Sequence, residues 1–228
     1  MALILNIDTA TDLASVCISE DGYSIAYYEN NQQKEHASFV HAAINSILKE
    51  AGKELQQIDA FAVTSGPGSY TGLRVGLATA KGFCFALNKP LITVNTLQVM
   101  VQAAIMGKTS LFNNINMLCC PMIDARRMEV YTAIYTHQME PLLQPTAIVL
   151  EPSTFDTWMN NIPVLFFGSG SAKLKSLILN ENAFFADIKF NAKHLALLAT
   201  KSFSIKKFAD VAYAEPDYVK EFFSILKQ

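Results

Sequence analysis

The chain has 228 residues, 51% of them hydrophobic and 17% charged, with a formal net charge of −2. This composition suits one domain of two lobes, or two small domains, and excludes a disordered chain. No run of lysine and arginine exceeds two residues, which excludes an autonomous nucleic-acid-binding surface; the lysines from Lys189 onward read as a solvated face.

Cys17, Cys84, Cys119 and Cys120 sit in apolar strand or helix patterns and form no C-x-x-C pair. They read as buried reduced thiols of a cytosolic protein. Met1–Asp8 is too short for the apolar region of a signal peptide, and the apolar helix after Tyr70 carries Arg74 and Lys81, so no membrane segment is expected.

In chain order, Leu3–Ile7, Ala14–Ser19 and Tyr23–Tyr28 read as three strands, joined by the polar turns Asp8–Asp12 and Glu20–Gly22. A meander of this kind differs from a dinucleotide-binding unit, which places a helix after its first strand. Ser38 is the expected N-cap of an amphipathic helix whose apolar stripe is Phe39, Val40, Ala43, Ile44, Ile47, Leu48 and Ala51 and which stops at Gly52. Ala60–Thr64 is a buried strand, Ser65–Ser69 a loop and Tyr70–Leu87 a helix, followed by a strand over Leu91–Val94 and a helix over Thr96–Met106. Gly107–Asn114 reads as a linker. Beyond it the pattern gives strands at Met117–Ile123, Glu129–Tyr135, Thr146–Leu150 and Val164–Phe167, and helices starting near Pro152, at Ala172–Leu179 and at Ala192–Phe203.

The two halves share a plan: an apolar strand ending in Asp8 or Asp124, a four-residue turn and a returning strand. This order predicts an α/β, actin-like or Hsp70-like (ribonuclease H-like) two-lobe fold with mixed sheets. The lobes are expected at 1–107 and 108–228, with the tail from about residue 205 a candidate to pack back on the first lobe. Asp8 and Asp124 at facing strand ends are conceivable as an acid–base pair; turn capping is the simpler account.

Gly72, Gly76 and Ala80 recur every four residues on one helix face. Interior glycine costs about 1 kcal/mol against alanine, so close approach of another backbone is implied. That backbone belongs either to the chain's own sheet or to a second protein. The loop itself, with Gly66, Gly68 and Gly72, misses the dinucleotide fingerprint by one residue and lacks the lysine of a P-loop.

Asp8-Thr9-Ala10-Thr11, His36, Ser65 through Gly76, Ala78 through Gly82, and Asp124-Ala125-Arg126-Arg127-x-Glu129-Val130-Tyr131 together resemble the bacterial TsaB (YeaZ) family. The similarity spans most of residues 1–135; the glycine motif is shared with TsaD, and the second motif points to TsaB. The resemblance implies a role in forming N6-threonylcarbamoyladenosine at position 37 of tRNA. In that process TsaD performs the transfer, TsaB is its non-catalytic partner and the ATPase TsaE joins them. It further implies a homodimer when the protein is alone and contact with tRNA only through the complex.

Where TsaD holds a metal with H-x-x-x-H, this chain has Thr96 and Met100, so neither metal nor cofactor is expected. Each histidine is expected to be exposed or to cap a helix. Alanine at Ala10 and arginines at Arg126 and Arg127 replace the glycines of actin-like phosphate loops. Asp8, Thr9, Thr11, Gly66, Gly68, Asp124, Arg126 and Arg127 thus read as vestigial phosphate loops that bind nucleotide weakly or not at all. Met128 stands where the family usually has glycine. The helices over 38–51 and 70–87 are expected to dock on TsaD through Phe39 and Ala43 of the first and Gly72, Leu73, Val75, Gly76, Thr79 and Ala80 of the second. An independent ATPase or small-molecule kinase is the alternative. A peptidase is the weaker one, since no nucleophile arrangement stands out.

Overall fold

Two five-stranded sheets carry the chain, and each is assembled in the same order. The computed structural model describes residues 1–31, 36–107 and 116–219. In the first sheet β1 (Leu3–Asp8), β2 (Ala14–Glu20) and β3 (Tyr23–Asn30) form the antiparallel meander; α1 (His36–Ala51) leads to β4 (Ala60–Gly66), parallel to β1, and α2 (Tyr70–Leu87) leads to β5 (Leu91–Asn95), parallel to β4. After α3 (Thr96–Met106) the second sheet repeats the scheme with β6 (Leu118–Asp124), β7 (Glu129–Tyr135), β8 (Pro141–Val149), α4 (Asp156–Met159), β9 (Val164–Phe167), α5 (Ser171–Lys175) and β10 (Ala183–Ala186); α6 (Ala192–Ser204) follows. Read from opposite edges, the orders β3-β2-β1-β4-β5 and β10-β9-β6-β7-β8 correspond strand for strand. The chain is therefore an α/β protein with two mixed sheets, as the duplicated strand–Asp–turn pattern predicted.

The layers follow from where the apolar residues fall. Ile44 and Ile47 of α1 and Leu77 and Ala80 of α2 pack on Leu5, Ile7, Phe61 and Val63, covering one face of the first sheet. Val99 of α3 with Leu195 and Ala199 of α6 covers the other face against Ile4, Ala60, Ala62 and Ile92. The opposite side of α3 meets the second sheet, where Leu97, Met100, Val101 and Ala104 pack on Cys119, Ile123, Tyr135 and Phe167. Phe155, Met159 and Leu174 close the far face of that sheet. A helix wedged between two sheets must be apolar all round, which explains the near-unbroken hydrophobic run of α3. All six residues of β1 are buried for the same reason: both faces of the sheet are covered. The one amide among them, Asn6, donates to Ser19 Oγ at 2.9 Å.

The structure departs from the sequence reading at several ends. α1 already runs at His36, which places Ser38 in its first turn and not at the cap. β8 starts at Pro141, and the helices near Pro152 and Ala172 are single turns. β10 was not anticipated, although the repeat requires a counterpart of β5. Of the expected linker only Gly107 is described, closing α3 with its amide on Ala103 O; residues 108–115 lie outside the described residues. α6 packs on the first sheet, and so do Ala209, Val211 and Ala214 of the tail. All four cysteines are buried and free. Among the described residues no helix is long and apolar enough to cross a membrane.

Because α3 is common to both cores, the two sheets should unfold together. Leu97→Ala, at a fully buried position touching the second sheet, is expected to cost about 2–5 kcal/mol. Denaturation followed by circular dichroism should still show one transition; two separated transitions would contradict the shared core.

Candidate functional site

The site grows from the end of β1. The Asp8 side chain is 1% exposed and accepts hydrogen bonds from Ala10 N (3.2 Å) and Thr64 Oγ1 (2.8 Å). Burial pushes its pKa from an ordinary 3.8 up to about 6, against the opposing pull of those two bonds and of His36. Asp8 thereby fixes the loop that follows. Thr9 Oγ1 donates to Gly72 O at 2.7 Å, and Ser69 N donates to Ala10 O at 2.7 Å, so this loop lies flat on the glycine-rich segment.

The glycines exist for that contact. A Cβ on Gly68 would stand 2.1 Å from Ala10 O, on Gly72 2.0 Å from Thr9 O, and on Gly76 2.4 Å from Thr9 Oγ1 and 3.2 Å from Val63. Gly66, at φ +124, would place a Cβ 2.4 Å from Asp217 O in the returning tail. Ser69 caps α2, its Oγ accepting from Gly72 N at 3.3 Å. The backbone that Gly72 and Gly76 admit is thus the chain's own.

This corrects the interface residues expected from the sequence. Gly72, Leu73, Gly76, Thr79 and Ala80 of α2 and Ala43 of α1 are buried in the monomer; only Val75 and Phe39 are part-exposed. The exposed stripe of α2 lies about half a turn away and carries Thr71, Arg74, Ala78, Gly82 and Phe85. A Cβ on Gly82 would meet nothing within 4 Å, and Phe85 is 87% exposed. On the α1 side, the His41 and Phe83 rings meet edge to face with centroids 6.3 Å apart.

At the second hairpin Asp124 Oδ1 accepts from Arg126 N (2.6 Å) and from Lys173 Nζ (2.7 Å), and the lysine holds its pKa below the usual carboxylate value. Arg126 (φ 71) and Arg127 (φ 46) are exposed and left-handed, the conformation a glycine would adopt without strain. Met128, part of the same turn, is exposed, and its carbonyl accepts from Leu150 N at 2.7 Å.

The hairpin tip, the first loop and the glycine segment border a cleft of about 1620 Å³ between the lobes. Thr11, Gly68, Asp124 and Arg126 line it; Asp8 does not, so the two aspartates are not brought together as an acid–base pair. Four amides of these loops are bonded within the chain: Ala10 N to Asp8, Ser69 N to Ala10 O, Asp124 N to Ser169 Oγ and Arg126 N to Asp124.

His36, expected to be exposed or capping, is buried, with Nε2 2.9 Å from Thr11 O. His194 does cap, its Nδ1 accepting from Asn191 N. Two contributors were missed. Lys173 reaches Asp124 from α5. Asp217 N donates to Ser65 O at 2.6 Å, and Tyr218 receives a bond from Arg74 Nε at 2.9 Å. The signal for the latter was present: Gly66 needs a close neighbour, and Arg74 is a cation in an apolar helix.

A family model described as "TsaD: tRNA N6-adenosine threonylcarbamoyltransferase" matches residues 25–222. The chain is 30% identical to the tRNA threonylcarbamoyladenosine biosynthesis protein TsaB of Escherichia coli, covering 95% of this chain and 94% of that one. It is 28% identical to the protein of the same name from Bacillus subtilis over 95% and 93%. Similarity to a tRNA N6-adenosine threonylcarbamoyltransferase, that of Syntrophobacter fumaroxidans, is confined to 48% of this chain and 37% of that one, at 29% identity. Among solved structures, YeaZ from Pseudomonas aeruginosa aligns with a TM-score of 0.79 and 26% identity over 96% of this chain and all of that one.

Two consequences can be measured. The folded pKa of Asp8 lies above its unfolded value, so its contribution to stability is complete below pH 3.8 and is lost as pH rises through about 6. At about 1.4 kcal/mol per pH unit, the cost at neutral pH is on the order of 3 kcal/mol. Asp8→Asn, which keeps an acceptor oxygen, should therefore be more stable than the parent at pH 7.5 and equal to it near pH 3.5 in urea titrations. Equal stability at both pH values would refute the assignment. Separately, Gly72→Ala should cost about 1–3 kcal/mol by overpacking, whereas Gly82→Ala should stabilise by up to about 1 kcal/mol. Thermal melts of the pair decide whether the two glycines really face opposite environments.

Proposed function

The chain belongs to the TsaB branch of the TsaD-like family, and we propose on that premise that it takes part in forming N6-threonylcarbamoyladenosine in tRNA as the non-catalytic partner of a TsaD-type transferase. The pathway comes from the relatives' names. The non-catalytic role rests on one observation: four loop amides at the cleft, those of Ala10, Ser69, Asp124 and Arg126, are bonded to the chain's own oxygens. A phosphoryl group entering there would have to break those bonds before it gained any of its own.

The docking surface in this reading is the exposed stripe of α2, Ala78, Gly82 and Phe85, beside Phe39 and Val75 where α1 meets α2. Small residues at Ala78 and Gly82 let a partner helix come close, and Phe85 supplies an apolar anchor. The same face serves a homodimer when the protein is alone. A TsaE-type ATPase joins the pair, and tRNA is reached only through the complex. The buried free thiols fit a reducing cytoplasm.

Gly82→Leu provides the test, because it fills the face without touching the core. The variant should melt no lower than the parent yet lose co-purification with the TsaD homologue of the same organism. Gly76→Leu is unsuitable, since it would unfold the monomer. Normal co-purification of Gly82→Leu would exclude this face.

A further inference from the structure

The segment after α6 is a strap, tied down at every step. Ala209 N donates to Leu91 O at 2.8 Å, and Val211 and Ala214 pack against the first core. Lys81 Nζ, on α2, reaches two carbonyls of the strap, Ala212 O at 3.2 Å and Ala214 O at 2.9 Å. Between those carbonyls stands Tyr213. Its turn is closed from the other side by Asp210, whose Oδ1 accepts from Ala212 N (2.8 Å) and Tyr213 N (3.3 Å) and whose carbonyl accepts from Ala214 N. Further along, Tyr218 stacks on Tyr70, and the Arg74 guanidinium lies 4.0 Å over the Tyr70 ring. On this anchored turn the Tyr213 side chain is 84% exposed.

Lys81 is four residues, one helical turn, from Phe85 and three from Ala78. The strap that carries Tyr213 is therefore tied to α2 at the residue next to Gly82, beside the exposed stripe. A tyrosine on a backbone already fixed loses little freedom on binding and offers a ring with a polar tip, the type of residue that concentrates interface energy. We propose that Tyr213 is a contact residue for the TsaD-type subunit, and that Lys81 is the positioning residue that sets it against that partner. This inference rests on the docking face assigned above. It adds that the surface is built from two segments far apart in sequence, α2 and the C-terminal strap.

The test measures affinity for the purified TsaD homologue of the same organism by calorimetry or surface plasmon resonance. Tyr213→Ala should bind at least tenfold more weakly and melt with the parent, while Tyr213→Phe should stay within about threefold. Lys81→Met should also weaken binding, and the double variant should bind no more weakly than Tyr213→Ala alone, because both changes remove one contact. Parent-like binding by Tyr213→Ala, with Gly82→Leu impaired, would overturn the role of the strap and leave the α2 face standing. Parent-like binding by both variants would overturn the two together.

Discussion

The contact between the first loop and the glycine segment governs this molecule. Thr9 and Ala10 lie on Gly68, Gly72 and Gly76 closely enough that a single added methyl would strike a backbone or hydroxyl oxygen. The contact is tied by Thr9 Oγ1 to Gly72 O and Ser69 N to Ala10 O, and it is held from beneath by the buried Asp8 carboxyl. It joins β1, β4 and α2 into one unit and decides which side of α2 faces outward. It also ties up the amides of Ala10 and Ser69 within the chain.

The second constraint is α3. A helix buried on all sides between two sheets makes the lobes share a core, so the cleft is bordered by elements that cannot move apart without exposing Leu97, Met100 and Val101. Enzymes that close around substrates need lobes free to hinge. Here α6 and the strap add further ties from the end of the chain to the first sheet. Such a body is suited to presenting a fixed surface, which agrees with a role as a binding partner.

The layout of the sheets was legible in the sequence because duplication repeats the signal: a strand ending in aspartate, a turn and a returning strand occur twice. β10 shows where this could have been pressed further, since its short Ala183–Ala186 run is unremarkable alone and becomes a strand only as the counterpart of β5. The glycine motif was legible as a close approach but not as to whose backbone approaches. Spacing identifies a helix face and says nothing about what lies over it, so Gly72, Gly76 and Ala80 were assigned outward when Thr9 and the sheet already cover them. The exposed alternates, Ala78 and Gly82, sit in the same run of small residues, and only the register against the sheet separates the two sets. The tail is a candidate to pack back in the sequence, but its anchors are not legible there, because its bonds join residues more than a hundred positions apart and use backbone atoms that leave no trace in composition.

The account turns on a cleft where four loop amides, at Ala10, Ser69, Asp124 and Arg126, are bonded from within the chain. Calorimetric titration of the isolated chain with MgATP addresses this directly. No binding tighter than about millimolar, an affinity worth some 4 kcal/mol, is the predicted result. Micromolar binding, lost in Asp124→Ala or Gly68→Ala, would show that the loops still hold phosphate and would contradict it.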